Sequence, residues 1–147
     1  KSSSAPFKFV VTGGQIINEA KVFENMATYP GERKKLLDKI AEQKISGVIF
    51  ISGDRHHTNL QKLDRDNNYP LYDLTISPMT SSAGKPVEEE YKFKTIIEGT
   101  EVNNLQTFGI MEISGKRTDR ELKINVFDAQ GNKKWDYIIK AKDLRAK

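Results

Sequence analysis

The 147-residue chain contains no cysteine and only two histidines. Without cysteine there is no disulfide framework, no thiolate metal site and no cysteine nucleophile. That absence does not fix a compartment, since reduced and oxidising locations both admit cysteine-free domains. No apolar run approaches the roughly 20 residues that a membrane-spanning helix needs. The longest, Val48-Ile49-Phe50-Ile51, has the length of a buried strand. A basic stripe with interleaved aromatic residues is also lacking, and with it the footprint of a nucleic-acid binder. The net charge of +4 is spread along the chain. Its densest cluster, Arg33-Lys34-Lys35, is offset by Glu32, Asp38 and Glu42 on the same expected helix. The start, Lys1-Ser2-Ser3-Ser4-Ala5-Pro6, has neither an initiator Met nor an apolar signal core, so the chain is expected to be part of something longer.

What remains is the composition of a globular domain, with 37% hydrophobic and 30% charged residues. Phe7 to Val11 reads as a strand that stops at Gly13-Gly14. Gln15 to Met26 reads as a loop with a short helical turn. A helix follows from about Gly31 to Gln43: Thr28 caps it, Pro30 suits its first turn, and Glu32 favours the positive end of its dipole. Leu36, Leu37, Ile40 and Ala41 recur on one face at helical spacing. Gly47 closes the segment and leads into Val48 to Ser52, continuous in its apolar character and hence expected as a central strand covered on both faces. Strand, helix and strand within about 50 residues make a βαβ unit, so the fold class is α/β.

Leu71 to Ile76 reads as a further strand, stopped by Pro78. After a polar connection opened by Glu88-Glu89-Glu90, the segments Thr107 to Ile113, Leu122 to Phe127 and Trp135 to Ile139 alternate as strands. Asp128 to Asn132 supplies a hairpin-type turn. This tail is expected to be a mostly antiparallel meander that finishes the sheet. A loop at Ser82 to Pro86 is the one place for a domain boundary, and a single domain over residues 1–147 is the simpler reading.

The chemistry concentrates at one strand end, Gly53-Asp54-Arg55-His56-His57. The carboxyl end of a central strand is where α/β sheets place ligands. In extended geometry Asp54 and His56 project to one side and His57 to the other. A carboxylate and an imidazole suit a metal such as Zn, Mn or Fe. Arg55 or His57 could contact a phosphate or protonate a leaving oxygen. From spacing alone the plainer reading stands beside this one: Asp54 caps a turn and His56 is an ordinary loop residue. Two ligands also fall short of the about three that a catalytic zinc usually takes from its protein. Elsewhere the structural readings prevail. Asp64 to Asn68 lacks the glycine and glutamate of a calcium loop and reads as a solvated turn. Ser77 has no nucleophile-elbow glycines around it. Trp135, Tyr137 and Ile139 at period two read as sheet packing.

Phe50-Ile51-Ser52-Gly53-Asp54-Arg55-His56 resembles the Leu-Ser-Gly-Asp-x-His signature of PhoD-like phosphatases, a branch of the calcineurin-like metallophosphoesterases. Four other segments resemble that family in the same order. They are Val11-Thr12-Gly13-Gly14-Gln15, Tyr29-Pro30-Gly31-Glu32-Arg33, Tyr69 to Thr80, and Asn103 to Ile113. The resemblance implies a fold that is the second half of an αββα sandwich, with residues 1–147 as the C-terminal portion of the domain. It implies Asp54 and His56 as ligands of a two-metal centre (Fe, Zn, Mn or Ca), Asp54 standing where the wider superfamily has a histidine. Catalytic work would fall to the same Asp54 and His56, with Arg55 and His57 as candidate phosphate contacts. The substrate class it implies is a phosphate ester, and the location a bacterial secreted or periplasmic one. The family's earlier motifs, which carry the bridging aspartate, are absent from these residues. This chain alone is therefore expected to be inactive and to leave a sheet face uncovered, through which two copies could pair. A non-catalytic interaction domain on the same scaffold is the alternative.

Overall fold

The computed structural model describes residues 3–147. Lys1 and Ser2, at the start of the segment read above for a missing signal core, lie outside them. The elements are β1 (Lys8–Val11), α1 (Pro30–Glu42), β2 (Val48–Ser52), β3 (Asn59–Leu63), β4 (Leu71–Thr75), α2 (Glu88–Tyr91), β5 (Thr107–Ser114), β6 (Glu121–Asp128) and β7 (Lys133–Lys140). They form two sheets, one in the order β1-β2-β4-β3 and the other β5-β6-β7. The α/β class expected from the sequence is what the chain adopts.

The βαβ unit is β1, α1 and β2, with β1 and β2 parallel and Val10 opposite Phe50. β4 adds parallel to β2 on its other side. β2 is therefore flanked by strands on both edges, and its Val48, Ile49 and Phe50 are buried, as a continuous apolar run requires. Its two faces meet different partners. Ile49 and Ile51 align with Tyr72 and Leu74 of β4, and the Tyr72 ring meets Tyr137 of β7 with centroids 6.0 Å apart. That face looks toward the second sheet. Phe50 and Ser52 align with Asp73 and Thr75, and this face is covered by the loop that follows β1.

Several local expectations need correction. Thr28 does not cap α1; its hydroxyl donates to the Asn25 carbonyl at 2.7 Å. Asn25 instead caps the short 3-10 turn Met26–Thr28, accepting from the Ala27 amide. The antiparallel meander is real, but β5, β6 and β7 do not join the first sheet. They make a sheet of their own whose Leu122, Ile124, Val126, Trp135 and Ile139 belong to one core cluster with Ile49, Phe50 and Leu74. Closing a second layer over the first buries both apolar faces, which extending the first sheet would not do.

Two elements were not anticipated. β3 lies antiparallel to β4, Leu60 opposite Leu74, and its other edge is covered by residues 95–102 through Lys62 N to Thr95 O and Ile97 N to Leu60 O. The Glu88 to Glu90 connection is a single helical turn, α2, and Glu90 within it is buried. Gly47 is a turn residue with φ of 77°. A Cβ there would come 2.1 Å from the Pro6 carbonyl oxygen, so the close approach of β1 to β2 depends on its absence. No helix among the described residues is long and apolar enough to cross a membrane.

Candidate functional site

The parallel strands β1, β2 and β4 end on the same side, and three loops converge there. The Gly53 amide donates to the Gly13 carbonyl at 3.0 Å, and the Ile76 amide donates to the Ser52 carbonyl at 3.1 Å. The chain then turns at Gly53 to His57. Extended geometry was expected at this point; instead Asp54 and His56 hold φ of 61° and 57°. Asp and His are among the few residues with a side chain that enter this left-handed region with any frequency. The turn is tied at each step. The Arg55 amide donates to the Gly53 carbonyl at 2.8 Å, and the His56 carbonyl accepts from the Gly84 amide at 2.6 Å. The His56 amide donates to Ser77 Oγ at 3.2 Å.

Within this turn exposure alternates. Asp54 and His56 are exposed, whereas Arg55 and His57 are buried. Nδ1 of His56 lies 3.2 Å from Ser82 Oγ. A hydroxyl on one ring nitrogen orients the imidazole and leaves Nε2 for a ligand.

Arg55 and His57, the candidate phosphate contacts, point into the protein. Nη2 of Arg55 donates to Glu90 Oε1 at 2.5 Å, and the two side chains are 6% and 1% exposed. The guanidinium also lies over the Phe23 ring, 4.6 Å from its centroid. His57 is fully buried, and neither ring nitrogen has a hydrogen-bond partner among the described residues. Burial, followed by the charge of Arg55, pulls its pKa down to about 4, so its imidazole is neutral near pH 7.

Behind the turn lies a buried polar network that sequence reasoning missed. Asp73, in the middle of β4, accepts from the Ile16 and Ile17 amides at 2.6 and 3.2 Å and from Ser52 Oγ at 2.7 Å. Burial pushes this carboxyl up, against the opposing pull of those three donors. Ser52 Oγ also lies 2.9 Å from Thr75 Oγ1, which accepts from Gln15 Nε2 at 2.8 Å. Asn18 Nδ2 bridges Gln15 Oε1 and Glu90 Oε2, 2.7 Å from each. From α1, Arg33 reaches back to the carbonyls of Ile16 and Ile17 at 2.8 and 3.0 Å. The loop after β1 is thus held by its amides from one side and its carbonyls from the other. A carboxylate inside the apolar run Leu71-Tyr72-Asp73-Leu74 was the available signal, since a buried charge must find donors.

A family model described as PhoD-like phosphatase matches residues 3–124. The chain belongs to the PhoD-like phosphatase family. No curated protein sequence matches it. The family implies a phosphate-ester substrate, and its members are generally metal-dependent. Among the described residues, however, no group of three or more His, Asp or Glu side chains is placed to hold a metal ion. One carboxylate and one oriented imidazole, both exposed on one turn, fit a contribution of two ligands and fall short of a whole site.

Proposed function

We propose that this chain contributes to metal-dependent hydrolysis of phosphate esters, with Asp54 and His56 as ligands at the carboxyl ends of the parallel strands. The observation that carries the reading is the pairing of family membership with the Asp54–His56 turn. That turn presents its carboxylate and imidazole outward and buries the residues between and after them. A bound two-metal centre would supply Lewis acidity and a more acidic water. The chain's own turn sets the backbone at both residues, and Ser82 orients the His56 ring through Nδ1. The other ligands are proposed to come from outside these residues, because two donors do not complete a centre. On the same reading this chain by itself is inactive, and the fold is one portion of the larger metallophosphoesterase sandwich. The edge strand β1, whose Val11 is 74% exposed, offers a place for further structure to add.

The test is hydrolysis of aryl phosphate mono- and diesters by this chain and by a longer protein that includes it, with Mn, Zn, Ca or Fe supplied and then chelated. Chelator-sensitive turnover by the longer protein, with none by the chain alone, supports the reading. No turnover by either with any metal would favour a non-catalytic domain on the same scaffold.

A further inference from the structure

The geometry points to Glu90 as a positioning residue for the Asp54–His56 pair, acting through Arg55; this rests on the reading of Asp54 and His56 as ligands. Arg55 stands between two residues held in the left-handed region, Asp54 at φ 61° and His56 at φ 57°. Such conformations persist in non-glycine residues where the surroundings over-determine them. Here the intervening side chain is fixed from two directions. Glu90 Oε1 accepts from Arg55 Nη2 at 2.5 Å, and Phe23 stacks against the guanidinium at 4.6 Å.

Glu90 is itself anchored. Oε1 accepts from the Val87 amide at 3.0 Å, and Oε2 from Asn18 Nδ2 at 2.7 Å. Asn18 continues through Gln15 to Thr75 and so to β4. A single carboxylate thereby ties the turn after β2 to the loop after β1 and to the one-turn helix α2. Nη2 alone of the guanidinium reaches Glu90, and the Phe23 ring against its planar face supplies the second restraint. A turn fixed at its middle side chain presents its flanking side chains in one arrangement. A loosened turn would populate other backbone conformations at Asp54 and His56, which lowers the affinity of these two residues for any centre that needs the fixed one.

The experiment compares the chain with Glu90→Gln, Arg55→Lys and Phe23→Ala variants by two-dimensional NMR, with Lys39→Ala as a surface control. Phe23 is exposed, so its truncation removes the stack without emptying the core. The amide signals of Phe50 and Leu74 report whether the core is intact. Expected, in variants with unchanged core signals, is exchange broadening at the Asp54 and His56 amides, strongest in Glu90→Gln and weaker in Phe23→Ala. Titrating Mn2+ as a probe should then need about tenfold more ion to broaden the His56 ring protons. Sharp, unshifted Asp54 and His56 signals in all three variants would overturn the clamp. If two donors are too few to hold Mn2+ in the parent chain, the amide broadening alone decides the clamp. If Glu90→Gln does not fold, Phe23→Ala decides it by the same signals.

Discussion

Arg55 Nη2 and Glu90 Oε1 meet at 2.5 Å across 35 residues of sequence, with both side chains out of solvent. Removing one partner of a buried pair strands the other, at a cost of about 3–5 kcal/mol. Glu90→Ala is therefore expected to destabilise the fold by that amount in urea unfolding. Replacing both partners with apolar residues should recover only part of the loss. The Val87 amide and Asn18 Nδ2 would still be without their acceptor.

Asp73 satisfies three donors from two separate segments. Asp73→Ala leaves the Ile16 and Ile17 amides without an acceptor, each at about 1–3 kcal/mol, while Ser52 Oγ keeps Thr75 Oγ1. Expected is a loss of several kcal/mol, with hydrogen-exchange protection falling first at Ile16 and Ile17. A loss confined to β4 would contradict the role assigned to that carboxylate.

Much of the scaffold could be read directly, and the reasons are local. Pro30, Glu32 and the Leu36-Leu37-Ile40 spacing mark α1 before any tertiary contact is known, and Val48 to Ile51 announces a covered strand. β3 could not be read in this way. Asn59-Leu60-Gln61-Lys62-Leu63 has no β-branched residue, and its buried Gln61 finds Thr95 Oγ1 at 3.1 Å only once the chain has folded back. Glu90 was concealed for a similar reason. Three successive glutamates look solvated, and the third is set apart by partners distant in sequence, Arg55 and Asn18. At the candidate site the residue types were legible but not the backbone, since positive φ at Asp54 and His56 leaves little trace in sequence.

Gly47 carries a specific cost if replaced. Gly47→Ala would have to hold φ of 77° and place a Cβ 2.1 Å from the Pro6 carbonyl. Left-handed backbone alone costs about 1–2 kcal/mol, and the overlap adds to it. A loss of at least about 2 kcal/mol in chemical denaturation is expected, whereas Gly131→Ala, with open space around its Cβ position, should lose less.

Asp128 gives the β6–β7 turn a defined pH response. Hydrogen bonds from the Asn132 side chain and amide, then the Gln130 amide, with Lys134 nearby, hold its carboxyl below the ordinary aspartate range. A depressed folded-state pKa contributes stability that is present above the unfolded value and lost as pH falls through the folded one. Asp128→Ala should therefore lower Tm at pH 7, and the gap from the parent should narrow below about pH 4. A gap that is constant with pH would mean the turn is stabilised by something other than this carboxylate.

The most direct measurement is kcat/KM for an aryl phosphate, taken on a longer protein that includes this chain, with Asp54→Ala and His56→Ala each compared with the parent under saturating metal. Expected is a fall of at least about a hundredfold for each substitution, with far-UV circular dichroism unchanged. Activity within a few-fold of the parent in either variant would contradict the assignment of that residue to the metal site.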